Sequence, residues 1–164
     1  MKIYLDTEFT NLNEFHRELI SIGLVSEEGM EFYAERNDYA LDKCSDFVKD
    51  IVLPKLGRVP DRVMSRNLMR DELRRWLSEV KGAHGWVEIC YDFIGDWQLM
   101  RELLDCEIPG WITYHNVYLA YLECDKQKRE QFFANAVIDG TGEDDHHALF
   151  DARALRLACS GPTP

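Results

Sequence analysis

Asp6 and Glu8 stand two residues apart in the run YLDTEF, near the start of the chain. In an extended strand, residues two apart share a face, so both carboxylates can aim at one ion. Asp92 follows the apolar run GWVEICY, and His146 and Asp151 fall in HHALFDA. Four carboxylates and one imidazole are a set of hard oxygen ligands with a proton acceptor. Two-metal phosphoryl hydrolysis needs such a set. No single member is specific. Acidic pairs at strand ends are common and usually solvated. Asp is well suited to capping a helix at position 92, and a lone loop histidine is ordinarily a surface residue. The force of the set lies in its distribution over the start, middle and end of the chain, which means a site assembled by folding.

The elements that must position these groups are legible in outline. Residues 2–8 alternate, with Ile3 and Leu5 on one face and Tyr4, Asp6 and Glu8 on the other, which predicts a strand. Residues 18–25 (ELISIGLV) predict a second strand and residues 30–35 a third, with the turn SEEG between them, giving a meander. A helical pattern over 39–53 is expected to stop before Pro54. Ser65 can cap a helix running to about Val80, with Leu68, Leu73, Trp76 and Leu77 on its apolar side and Gly82 at its end. Residues 85–90 predict a buried strand, followed by Asp92 and a helix to about Leu104. A short strand is expected over 111–114, a helix over 117–133 and a loop at Gly140-Thr141-Gly142. The last helix should begin near His147 and reach Cys159, with Leu149, Ala152, Leu155 and Ala158 in register. The order predicts an α/β fold with a mixed sheet. Asp92 then sits at a strand's carboxyl end, where such sheets place ligands. Asp96, four residues on, is expected on the helix surface. His146 and His147 compete as the base. His147, one helical turn from Asp151, is the one expected to pack with the helix.

Composition narrows the classes. The chain has 164 residues, 46% of them hydrophobic and 12% aromatic, which suits one folded domain over 1–160 with a short tail at 161–164. No apolar run approaches the roughly 20 residues of a membrane span. Met1-Lys2 leads straight into a strand pattern, with no targeting or lipidation signal, so a cytoplasmic location is expected. Cys44, Cys90, Cys106, Cys124 and Cys159 are odd in number and lack CxxC spacing, which predicts reduced thiols. A net charge of −11 argues against coating long nucleic acid, but not against handling a short end. From Lys55 to Trp76 the local balance reverses, with Lys55, Arg58, Arg62, Arg66, Arg70, Arg74 and Arg75 against Asp61, Asp71 and Glu72. This stretch reads either as a solvated helix face or as a contact for a substrate backbone, with Arg66 and Arg70 as the candidate cations.

Asp6-Thr7-Glu8, Tyr91-Asp92 and the His146-x-Ala148-x-x-Asp151 run, in that order, resemble the DEDDh 3′–5′ exonucleases of the RNase H-like fold. The third motif's register selects His146 over His147. DTEF, ELISIG and VLPKL further resemble the small mycobacterial-type exoribonucleases that prefer adenylate (the RNase AS group). The chain departs from the family pattern before Asp92, where CYD replaces the usual Asn-x-x-Phe-Asp. The resemblance implies an RNase H-like mixed sheet, an antiparallel meander plus parallel strands, flanked by helices. It implies two divalent ions, Mg²⁺ or Mn²⁺, with Asp6 shared, Glu8 and Asp151 on one and Asp92 on the other. His146 would deprotonate the attacking water, releasing nucleoside 5′-monophosphates from the 3′ end of single-stranded RNA. Thr7, Phe9 and Thr10 would line the terminal nucleotide's slot, and the protein would be a homodimer. A DNA exonuclease of the same fold and a catalytically silent nucleic-acid-binding module are the alternatives. A calcium scaffold is disfavoured because no loop has EF-hand spacing.

Overall fold

The alternation read in residues 2–8 is a strand in the computed structural model, which describes residues 1–118, 130–132 and 145–159. Strand β1 (Lys2–Phe9) pairs antiparallel with β2 (Leu19–Ser26), and β2 pairs antiparallel with β3 (Glu31–Arg36). Every residue of β2 is buried, so its continuous apolar run reflects cover on both faces. Two-residue β4 (Val63–Met64) adds parallel to β3. On the other side β5 (Val87–Tyr91) runs parallel to β1, and β6 (Ile112–Asn116) parallel to β5. The sheet order is β4-β3-β2-β1-β5-β6, the expected mixed sheet.

Helices cover both faces. Ile3, Leu5, Ile22, Leu24, Phe32 and Ala34 pack against helices α1 (Arg66–Lys81) and α2 (Ile94–Leu103). Ser65 caps α1, accepting from the Leu68 N–H at 3.4 Å, and Gly82 ends it. The helix turns differently from expectation. Leu68 is 49% exposed, and Met69, Leu73, Leu77 and Val80 form the buried stripe. Their spacing of four, four and three keeps one face on the sheet. The opposite sheet face is covered by α3 (Ala148–Cys159), whose Ala148, Leu149 and Ala152 meet Val25 and Tyr33. Leu155 of α3 meets Tyr4 and Cys90.

Between β3 and β4 the expected single helix is broken into a 3₁₀ turn (Leu41–Lys43), a π-helical turn (Val48–Val52) and a second 3₁₀ turn (Leu53–Lys55). The chain is extended at Cys44 and then stays helical from Val48 through Pro54 to Lys55. Pro54 sits in the first turn of the last piece, where its missing N–H is not needed. Val48 and Val52 bury against Ile20 and Cys44. Residues 119–129 and 133 of the expected 117–133 helix, the 140–142 loop, Cys124 and the 161–164 tail lie outside the described residues. The described cysteines are free thiols. Among the described residues no helix is long and apolar enough to cross a membrane.

Candidate active site

The site begins where two strands part. The parallel β1–β5 ladder ends at Tyr4↔Cys90, whereas the β1–β2 ladder continues to Phe9. Beyond Tyr4, β1 therefore has no β5 partner, and a cleft of about 400 Å³ opens at the strands' carboxyl ends. Asp6, Glu8, Asp92, Asp96, His146 and Asp151 all line it.

Alternation puts Asp6 and Glu8 on the face that α3 covers, with Tyr4. Asp6 is paired with Gly23 of β2, and the first turn of α3 crosses there. A Cβ on Gly23 would lie 2.3 Å from the Ala148 carbonyl oxygen. That approach brings Asp151 over β1. The His147 backbone N–H donates to Asp151 Oδ2 at 3.0 Å, which orients the carboxylate at the helix start. Oxygen atoms of Asp6, Glu8 and Asp151 lie within 4.8 Å of one another.

A second triad shares Asp6. Oxygen atoms of Asp6, Asp92 and Asp96 also lie within 4.8 Å of one another. Asp92 does not cap α2, whose N-cap is Phe93. Asp96 corrects the sequence reading. It is 2% exposed, not on the helix surface, and accepts a 2.6 Å hydrogen bond from Thr7 Oγ1. Helix α2 is buried around much of its girth, at Asp96, Trp97, Leu99, Met100 and Leu103, while Phe93 and Ile94 at its start take the solvent-facing side.

The crowding is visible in the electrostatics. Burial, then the Asp151 and Asp96 charges, push the Glu8 carboxyl up to about 8, against a downward pull from Lys55. Burial also pushes Asp96 up to about 8, with Asp92 adding to it and the Thr7 hydroxyl opposing it. Asp6 is held well above the usual carboxylate range by burial and by Asp151, Asp96, Glu8 and Asp92. Carboxylates forced together out of water repel one another unless a cation lies between them. Two oxygen triads joined at Asp6 are a donor set that hard divalent cations fit.

His146 lies on the cleft wall with a left-handed backbone (φ 61°), its ring edge-on to Phe47 at 5.0 Å. Lys55 Nζ donates to the carbonyl of the preceding residue, Asp145. His147 packs as expected. It is 1% exposed, stacked on Tyr33 at 4.7 Å and Phe150 at 4.2 Å, and burial pulls its imidazole down to about 4.

The residues expected to touch substrate are dispersed. Thr7 lines the cleft, but its hydroxyl is donated to Asp96. Phe9 lines the cleft and stacks on Phe93 at 6.0 Å, with the Arg17 guanidinium over both rings. Thr10 is fully buried and accepts from the Glu18 N–H at 3.0 Å, closing the base of the 11–17 loop. Arg66 and Arg70 are not brought to the cleft. They hold Asp105, just beyond α2, at 2.8 and 2.9 Å. Arg74 binds the Leu104 carbonyl and Glu107, so these three α1 cations tie two helices together. Sequence reasoning missed Asp96, Phe47 and Phe93. Only Asp96 carried a signal, its spacing of one helical turn from Asp92.

No family model matches the chain. A stretch of 79 residues, 47% of the chain, is 37% identical to the 3′–5′ exoribonuclease of Mycobacterium tuberculosis, in strains CDC 1551 and H37Rv. The match covers 46% of those relatives, so the chain spans about half the length of the curated relatives it matches. Among solved structures, the nuclease domain of 3′hExo, a DEDDh family member bound to rAMP, superposes with a TM-score of 0.60 at 15% identity, over 96% of this chain and 88% of that one. A 3′-exonuclease solved for its 3′-end specific recognition of a histone mRNA stem-loop superposes with a TM-score of 0.55 at 16% identity, over 96% and 78%. The mixed sheet and its flanking helices are thus the fold of DEDDh nuclease domains.

Proposed function

We propose that this chain, whose fold is that of DEDDh nuclease domains, is a divalent-metal-dependent 3′–5′ exoribonuclease. It would release nucleoside 5′-monophosphates from single-stranded RNA. The observation that carries this reading is the pair of carboxylate triads sharing Asp6, with His146 on the same cleft wall. The matched stretch of the exoribonuclease relatives supports RNA as the polymer.

Asp6 would serve both ions, Glu8 and Asp151 one, and Asp92 the other. Two Mg²⁺ or Mn²⁺ ions, when bound, would neutralise the phosphate and acidify the attacking water. His146, its ring edge-on to Phe47, would take the proton from that water. The Phe9–Phe93 stack offers the terminal base a flat apolar wall. Adenylate preference, a homodimer and a cytoplasmic location complete the proposal, each resting on the family resemblance or on composition.

The test is a nuclease assay on 5′-labelled oligoadenylate RNA and matching DNA, with Mg²⁺, Mn²⁺ or chelator, for the wild type and Asp6→Ala. A metal-dependent ladder shortening from the RNA 3′ end, absent in the variant, is the expected result. Faster loss of DNA would make this a DNA exonuclease. Activity retained in clean Asp6→Ala protein would remove the site altogether.

A further inference from the structure

We infer that Asp96 is a fifth carboxylate ligand of the site, holding with Asp92 the second of the two cations. The inference rests on the nuclease reading and extends it, because the family motif that identified Asp6, Glu8, Asp92 and Asp151 contains no residue at this position.

Three observations place Asp96 in the ion site. A carboxylate oxygen of Asp96 lies within 4.8 Å of oxygens of both Asp6 and Asp92, the bound that the Asp6–Glu8–Asp151 triad also meets. It is 2% exposed, which denies it the water that solvates an ordinary helix-surface aspartate. Hydrogen bonds from Thr7, through its hydroxyl at 2.6 Å and its backbone, together with the charge of Arg17, offset only part of the cost of burying an ionised carboxylate beside two others. A cation between Asp96 and its two acidic neighbours offsets the rest.

The local geometry explains how the residue comes to be there. Asp92 precedes α2, Phe93 between them is extended, and Asp96 lies in the first turn of the helix. The amino end of a helix favours acidic side chains. Because β1 and β5 part after Tyr4↔Cys90, the opening admits both carboxylates, Asp92 from the end of β5 and Asp96 from α2, beside Asp6. Thr7, the residue between Asp6 and Glu8, then fixes the orientation of Asp96 from the β1 side. The threonine of the D-T-E motif is thereby a positioning residue for an ion ligand.

Without Asp96, the second cation would rest on Asp6 and Asp92 alone and would be held mainly by water and substrate. With it, both cation positions are built from three protein carboxylates. The full chain without substrate should therefore bind two Mn²⁺ ions of comparable strength.

The experiment is a Mn²⁺ titration of the substrate-free chain, followed by calorimetry and by electron paramagnetic resonance, for the wild type, Asp96→Asn and Thr7→Val. Asp96→Asn should keep one Mn²⁺ site and weaken the other by about tenfold or more. Thr7→Val keeps the carboxylate and should bind both ions more tightly than Asp96→Asn does. Thermal melts of the variants check that each is folded. If Asp96→Asn binds two ions as tightly as the wild type, Asp96 is not a ligand and the nuclease reading stands. If Thr7→Val loses as much affinity as Asp96→Asn, the hydrogen bond and not the ligand is what matters, and the inference is overturned. A wild type that binds no Mn²⁺ at all overturns the nuclease reading with it.

Discussion

Gly23 and Ala148 touch through their backbones. Helix α3 crosses β2 where a single added carbon would sit 2.3 Å from the Ala148 carbonyl oxygen. Gly23 is also the ladder partner of Asp6. The glycine therefore sets how close Asp151 comes to β1.

Gly23→Ala should be destabilising by about 1–3 kcal/mol, the range for overpacking a close contact. It should also weaken the Mn²⁺ site at Glu8 and Asp151 more than the one at Asp92. Urea unfolding and a Mn²⁺ titration check this. Unchanged stability and binding would mean that α3 is seated by its other contacts.

The pH dependence of stability should run opposite to that of an ordinary acidic protein. The folded-state carboxyls of Glu8 and Asp96 titrate at about 8, against 4.5 and 3.8 for the free groups. Their protonated forms are the ones folding favours. This contribution is complete below about 4 and is lost as pH rises to about 8. In chelator the unfolding midpoint should fall over that window. Saturating Mg²⁺ should restore stability at pH 8 and flatten the profile. A metal-free midpoint that rises from pH 5 to 8 would refute the crowding.

Asp6→Asn should abolish nuclease activity and, in chelator at pH 8, melt at a higher temperature than the wild type. It removes the charge shared by both triads. A lower melting temperature would assign Asp6 a structural role beyond ion binding.

His146→Ala should lower kcat by about 10²–10⁴-fold, the usual span for a lost general base. Mn²⁺ affinity should stay as in the wild type. Loss of Mn²⁺ binding would make His146 a ligand.

Arg66→Glu with Arg70→Glu separates the two readings of the basic stretch. Both cations hold Asp105, outside the cleft. The expected outcome is a lower unfolding midpoint and an unchanged KM for RNA. A raised KM would return them to the substrate path.

Much of the site was legible because strand alternation is a strong signal. Asp6 and Glu8 could share a face only one way, and the buried run before Asp92 marked a strand's carboxyl end. Asp96 was misread for a physical reason. Helical periodicity reports which side of a helix is polar, not whether the polar group faces water or an ion. The same limit moved Leu68 to the surface, since Leu68 and Met69 are both apolar and only packing against the sheet chooses between them. Pro54 was read as a stop because its ring forbids most helical positions, and the fold used one of the few that accept it. Nothing local could have told that Arg66 and Arg70 would meet Asp105, a partner 35 or more residues away along the chain.

The dependence on α3 has a consequence for synthesis. Asp6 and Glu8 are made first. Asp151, which completes their triad, and His146, the proposed proton acceptor, are made with the last described element. A ribosome adds roughly 5–20 residues each second, and the amino-terminal strands can pair while the rest is still being made. Until α3 has emerged and seated itself at Gly23, Asp6 and Glu8 lack the third carboxylate of their triad.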